Sequence, residues 1–303
     1  MRYVVTGAAG FIGSHLAEAL QEQGHDVVGI DCFTDYYDPA RKEQNARGLD
    51  VRRLDLAEDA LDFAGFDGVF HLAGQPGVRS FGAVFGDYVR RNLLATQRVF
   101  EAAAAAGVRV VFASSSSVYG DAETYPTPEE TPARPISPYG ITKLGCEHLA
   151  HAYAAGFDLD AVVLRYFTVY GPRQRPDMAF TRIVEALASG GSYEIYGDET
   201  RSRSLTYVSD VVEATIAALE RGRGVYNVGG GEETTMADGI EMLERISGRT
   251  LEVRCAPAAA GDVKRTKADI TRIRADLGWE PRVSLEEGLR AEWEWASGRV
   301  GAR

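Results

Sequence analysis

Short apolar runs recur along the first half of the chain, at Tyr3 to Thr6, Asp26 to Ile30, Val51 to Leu54, Gly68 to Leu72, Arg109 to Ala113 and Leu159 to Leu164. Between them apolar positions return at helical spacing over Phe11 to Gln23, Tyr88 to Ala106 and Pro138 to Ala155, with Gly24, Gly107 and Gly156 following as stop signals. Strands alternating with helices predict an α/β fold, a Rossmann-like doubly wound parallel sheet. Past Pro172 the alternation breaks into shorter strands, Tyr193 to Tyr196 and Val225 to Val228, mixed with helices and turns. The break predicts a main domain over 1–172 and a smaller C-terminal α/β lobe over 173–303, with some segments returning to the main sheet.

The turn Gly7-Ala8-Ala9-Gly10-Phe11-Ile12-Gly13 closes the first strand and opens the first helix. In that context Gly7 permits the tight turn, Gly10 lets the helix N-terminus meet a pyrophosphate, and Gly13 lets the helix lie close to the sheet. Asp31 ends the second strand about twenty residues past the turn, where a carboxylate accepts both hydroxyls of an adenine ribose. No arginine directly follows it in Cys32-Phe33-Thr34, so NAD is expected over NADP. Asp55 and Leu56 at the third strand end, and Leu72, Ala73 and Gly74 at the fourth, are placed to line the adenine and the nicotinamide-side ribose. His71 reads as a buried strand histidine.

The run Ser114-Ser115-Ser116-Ser117-Val118-Tyr119-Gly120 ends the fifth strand at the edge where ligands bind in such sheets. Tyr139 and Lys143, four apart in a helix opened by Ser137-Pro138, share one face. An ammonium one turn away and a positive nicotinamide favour the ionised phenol, which makes Tyr139 a base for a sugar hydroxyl.

Composition adds limits. The 303 residues are 45% apolar and 25% charged, as in a soluble globular chain, with no apolar run of membrane-spanning length. The chain enters a strand at once without a charged and apolar leader, so a cytoplasmic protein is expected. Cys32, Cys146 and Cys255 are widely spaced and read as reduced thiols. A net charge of −11 argues against a nucleic-acid surface. Within it Arg165, Arg173, Arg175, Arg182, Arg201 and Arg203 form a basic island that suits a diphosphate or carboxylate, or else a surface of solvated charges. Glu147-His148 with His151 reads as helix surface, and no metal is expected.

Taken together these motifs resemble the extended short-chain dehydrogenase/reductases, specifically the NAD-dependent nucleotide-sugar epimerases. The likeness runs through Thr6 to Leu16, Asp31, Ser114 to Gly120, Tyr139 to Lys143 and Arg165-Tyr166-Phe167-Thr168-Val169-Tyr170-Gly171-Pro172. It implies NAD contacts at Gly7, Gly10, Phe11, Ile12, Gly13, Asp31, Asp55, Leu56, Leu72, Ala73, Gly74, Asn92, Ser114, Tyr139, Lys143, Tyr166 and Val169. Arg203 to Asp210 resembles the family's nucleotide-contacting stretch, with Ser204 in place of its usual aspartate, and Gly261-Asp262-Val263 its late aspartate turn. Arg203 and Asp262 are therefore expected to hold the UDP end of a UDP-sugar. A homodimer through Phe85 to Ala106 and Pro138 to Ala155 is implied as well.

Phe33 to Asp38, Gln75-Pro76-Gly77-Val78-Arg79 and Arg175-Pro176-Asp177-Met178 narrow the likeness to UDP-glucuronate 4-epimerases. In that reading Ser115 pairs with Tyr139 at the reacting hydroxyl, Ser116, Ser117 and Thr168 contact the carboxylate, and Arg175 and Arg79 lie at the substrate. Gln75-Pro76 differs from the family's more common alanine-rich loop. The implied reaction oxidises C4 to a keto sugar that turns over and is reduced from its other face. A UDP-glucose/galactose 4-epimerase is the alternative, followed by a UDP-glucuronate decarboxylase or a sugar dehydratase. The related decarboxylases carry a glutamate where this chain has Ser117, and the dehydratases an acidic pair where it has Ser116-Ser117.

Overall fold

In the computed structural model the described residues are 1–78, 81–196, 202–257, 263 and 265–300. The first half alternates β1 (Arg2–Thr6), α1 (Phe11–Glu22), β2 (Asp26–Asp31), α2 (Pro39–Asn45), β3 (Asp50–Arg53) and β4 (Gly68–His71). It continues through α3 (Phe85–Tyr88), a π-helical stretch Val89–Leu94, α4 (Ala95–Ala106), β5 (Val110–Ser115), α5 (Pro138–Phe157) and β6 (Ala161–Tyr166). These strands build a seven-stranded parallel sheet, which β10 (Gly224–Val228) completes at one edge in the order β10-β6-β5-β4-β1-β2-β3. The strands are buried on both faces, so they read as continuous apolar runs instead of alternating ones. Leu16 and Leu20 of α1 pack on one face with Val211 of α7 (Val208–Arg221) and Ile273 of α9 (Thr271–Leu277). Val99 and Phe100 of α4 and Cys146 of α5 cover the other.

Three local expectations shift. Val225 to Val228, read as part of the smaller lobe, lies in the main sheet, where Val225 pairs with Val163 of β6. Gly156 does not stop α5. The helix runs on to Phe157 and ends at Asp158, whose φ of 54° provides the left-handed cap. The following strand therefore begins at Ala161 and not at Leu159. The helix expected from Tyr88 winds first as α3 and a π-helical turn before becoming regular at Ala95.

Away from the main sheet, β9 (Ser202–Tyr207) pairs with β7 (Thr168–Tyr170), β11 (Glu233–Thr235) and β13 (Arg265–Thr266), and β8 (Ser192–Tyr196) pairs with β12 (Glu252–Ala256). A separate core joins α6 (Ala179–Ser189), α8 (Met236–Ser247) and α10 (Leu285–Val300) through Ile183, Leu187, Leu243 and Leu289. Among the described residues no helix is long and apolar enough to cross a membrane.

Candidate active site

The carboxyl ends of β1, β2, β4, β5 and β6 open on one cavity of about 680 Å³. Parallel strands direct their following loops to the same edge, which is why residues far apart in sequence meet there. Gly7 turns the chain with φ +73°, and a Cβ on Gly13 would stand 2.1 Å from the Gly7 carbonyl oxygen. Only glycine lets α1 approach β1 so closely. Gly10 caps α1 with no side-chain bond, the first-turn amides have no partner within the helix, and Phe11, Ile12 and Gly13 line the cavity. These features fit a bound dinucleotide.

Asp31 is anchored at the tip of β2. Its carboxylate accepts from the Ala9 amide at 3.1 Å and the Phe33 amide at 2.8 Å. Burial pushes its carboxyl above the usual range, against the pull of those amides and of Lys42. Asp55, Leu56, Leu72, Ala73 and Gly74 line the same side, and Asp55 pairs with Arg90 at 2.7 Å. His71 is the buried strand histidine expected: its ring nitrogens meet Thr6 Oγ1 at 2.8 Å and Thr96 Oγ1 at 3.0 Å. Burial, with Lys143 nearby, pulls it down to about 3, so it is neutral.

Ser137 caps α5 by accepting from the Gly140 amide at 3.1 Å, and Pro138 sets the first turn. A Cβ on Gly140 would stand 2.5 Å from the Ser117 carbonyl oxygen, so glycine brings the start of this helix against the serine run. Tyr139 and Lys143 both line the cavity. The Lys143 ammonium donates to the Ala113 carbonyl at 2.7 Å, and Ser115 Oγ accepts from the Ser117 amide at 3.1 Å. Ser114, Ser116, Ser117, Tyr166, Thr168, Val169, Arg175 and Arg203 complete the wall. Arg203 donates to the carbonyls of Ser202 and Val263. Ser204 is buried and donates to the Gly231 carbonyl at 2.9 Å, so it holds a turn behind the wall.

Two expectations change with the side chains. Asn92 is not part of the wall; it is 1% exposed and stands behind it. Its Oδ1 accepts from the Gln75 amide at 2.7 Å while Nδ2 donates to Thr142 at 2.9 Å, tying the Gln75-Pro76 loop to α5. Glu147 is buried against Arg165 while His148 and His151 are exposed, so only the histidines lie on the helix surface. The arginine island likewise divides: Arg165 pairs with Glu147 and Arg173 with Glu18, whereas Arg175, Arg182 and Arg203 face the cavity. Arg79, Arg201 and Asp262 lie outside the described residues.

Sequence reasoning assigned no role to Lys42, Tyr36, Tyr37, Arg91 and Asp177, which also line the cavity. Lys42 donates to both oxygens of Thr34 at 2.8 Å. Burial pushes the Tyr36 and Tyr37 phenols up to about 12. Tyr36 donates to Asp177 at 3.2 Å, and Asp177 grips Arg175 with both oxygens at 3.0 Å. The available signals were the stretch Phe33 to Asp38, which holds Tyr36 and Tyr37, and the aspartate two residues from Arg175.

Residues 3–229 match the NAD dependent epimerase/dehydratase family. The chain is 40% identical to an uncharacterized UDP-glucose epimerase of Bacillus subtilis, YtcB, over 98% of each protein. It is 35% identical to a UDP-glucuronate 4-epimerase of Thermodesulfobacterium geofontis, over 98% of this chain and 97% of that protein. Among solved structures, UDP-glucuronic acid 4-epimerase from Bacillus cereus, in complex with UDP-glucuronic acid and NAD, superposes with a TM-score of 0.93 at 39% identity, covering 99% of this chain and all of that one. With the dinucleotide turn and the Tyr139/Lys143 helix facing one cavity, these likenesses show that the chain belongs to the NAD dependent epimerase/dehydratase family.

Proposed function

We propose that this protein is an NAD-dependent 4-epimerase that converts UDP-glucuronate to UDP-galacturonate through a transient 4-keto sugar. The observation that carries the choice of substrate is the setting of Arg175. It shares the cavity wall with the hydroxyls of Ser116, Ser117 and Thr168 and with Tyr139. A guanidinium beside neutral hydroxyls suits a carboxylate better than a hydroxymethyl group.

Bound NAD+ supplies the hydride acceptor for C4 and, once reduced, returns the hydride. Tyr139 takes the C4 hydroxyl proton at its phenol oxygen and gives it back after the keto sugar has turned over. Ser115 holds the same hydroxyl, and Lys143, pinned to the Ala113 carbonyl, holds its ammonium 5.9 Å from the centre of the Tyr139 ring. The 4-keto glucuronate is a β-keto acid that loses CO2 when its carboxylate bond aligns with the carbonyl π system. Arg175, Ser116, Ser117 and Thr168 hold the carboxylate out of that alignment. Arg203, with Asp262 and Arg79, serves the nucleotide and sugar ends. The remaining roles fall to the cavity residues expected from the sequence, with Asn92 acting from behind the wall.

Residues 1–172 carry NAD and 173–303 mainly the UDP-sugar. A homodimer is supported by an apolar surface on the two candidate helices, where Ile141 is 51%, Leu94 44% and Phe85 42% exposed. A cytoplasmic location is supported by three free thiols.

The second reading, a UDP-glucose 4-epimerase, draws on the Bacillus subtilis relative. Incubating the purified protein separately with UDP-glucuronate, UDP-glucose and UDP-xylose and resolving the products decides between them. Turnover of UDP-glucose in preference to UDP-glucuronate overturns the primary reading.

A further inference from the structure

The cavity wall holds an ion pair whose acidic partner has no role in the reaction. Arg175 donates from Nε to Asp177 Oδ1 and from Nη2 to Oδ2, both at 3.0 Å. Tyr36, on the loop between β2 and α2, donates to the same Oδ2 at 3.2 Å. All three residues line the cavity. A carboxylate of the protein thus already occupies one edge of the guanidinium that would receive a carboxylate of the substrate.

We propose that Asp177 sets how strongly the site prefers a sugar bearing a C5 carboxylate over one bearing a hydroxymethyl group, an inference that rests on Arg175 reading that carboxylate. A guanidinium has five N–H donors, and Asp177 engages two, which leaves Nη1 and the second Nη2 hydrogen for an incoming anion. Geometry therefore permits both carboxylates at once. The charges do not favour it, since one cation then faces two anions and the second arrives at a pair already close to neutral. The cost falls only on the anionic substrate, because a hydroxymethyl group carries no charge to repel. The Tyr36 phenol offsets part of the penalty by donating to Asp177 and drawing its charge away from Arg175. Burial and the Asp177 charge keep this phenol protonated at neutral pH, with its titration pushed up to about 12, so it acts as a donor throughout the working range. Asp177 thereby holds discrimination at C5 below what Arg175 alone would give.

The test is the ratio of dissociation constants for UDP-glucose and UDP-glucuronate on NAD-loaded protein, measured by calorimetry in a Tyr139→Phe background where turnover does not blur the two sugars. With Asp177→Asn the preference for UDP-glucuronate is expected to rise about fivefold. Tyr36→Phe, which leaves the Asp177 charge fully on Arg175, is expected to lower it about twofold, and it decides the matter if Asp177→Asn does not fold. An unchanged or reduced preference in Asp177→Asn, or an unchanged or increased one in Tyr36→Phe, overturns the proposal. Arg175→Gln separates the two layers. If it leaves the ratio at the parent value, Arg175 does not read the carboxylate and the substrate assignment itself fails. If it abolishes the preference while Asp177→Asn does not raise it, only the role of Asp177 fails.

Discussion

Glu147 and Arg165 meet at 2.7 Å beneath the cavity floor, with side chains 8% and 9% exposed. Glu147 stands on α5 four residues beyond Lys143 and also accepts the Ser114 hydroxyl, while Arg165 reaches on to the Tyr119 phenol at 2.8 Å. The buried pair therefore fastens the helix carrying Tyr139 to β6, and the Ser114 bond to Glu147 fastens the same helix to the strand that ends at Ser115. Removing one partner strands the other charge in the core, which costs about 3–5 kcal/mol. Glu147→Leu should lower unfolding stability by that amount in a urea titration, and Glu147→Leu with Arg165→Met should recover most of it. A single variant as stable as the parent would show that the pair does not hold these elements together.

Tyr139→Phe keeps the ring and removes the oxygen that moves the proton. Turnover should fall about 10²-fold or more, with NAD and UDP binding little changed. Progress curves on UDP-glucuronate, paired with calorimetric titration of UDP, measure both, and near-parental turnover would remove Tyr139 from the mechanism.

Asp31→Ala should weaken NAD about tenfold or more and bring NAD and NADP affinities toward each other, since the carboxylate that accepts the ribose hydroxyls and repels a 2′-phosphate is lost. The Ala9 and Phe33 amides lose their acceptor in the same change. Fluorescence titration of both cofactors reads the outcome. A parent protein that binds NADP as tightly as NAD contradicts this role.

Glu292 is fully buried in α10 beside the Gly171 amide and the Thr181 hydroxyl, and burial pushes its carboxyl well above the ordinary 4.5. Between that value and the raised one, the unfolded chain releases this proton while the folded chain keeps it. Stability from this group is therefore complete below about pH 4.5 and declines as pH rises above it. Glu292→Gln should be more stable than the parent at pH 8 and show less decline between pH 5 and pH 8 in thermal melts. A variant that melts lower at pH 8 would mean the carboxylate is ionised and partnered.

Ile141→Lys, placing a charge on the exposed apolar face of α5, should convert a dimer to a monomer in light scattering with little change in monomer fold. A parent protein that is monomeric at micromolar concentration removes the dimer proposal.

The local chemistry was legible from the sequence because it depends on short-range geometry. Gly7, Gly10 and Gly13 announce a strand-to-helix turn that no other residue fits as closely, and Ser137-Pro138 announces the start of a helix on which Tyr139 and Lys143 must share a face. The alternation of apolar runs likewise determined a parallel sheet, and with it the edge where ligands gather. Tertiary structure decided what depends on partners distant in the chain. The edge strand Val225 to Val228 finds β6 only after α6, β8 and β9 of the second lobe have intervened, and no local pattern says which sheet it will join. Asn92 lies behind the wall because Gln75 and Thr142 claim its amide. Glu147 reads as helix surface, yet it is buried because of what packs against it. Tyr36 meets Asp177 across 141 residues of sequence, and spacing carries no information about such a contact, since loop closure on that scale is set by the folded lobes and not by the segments themselves.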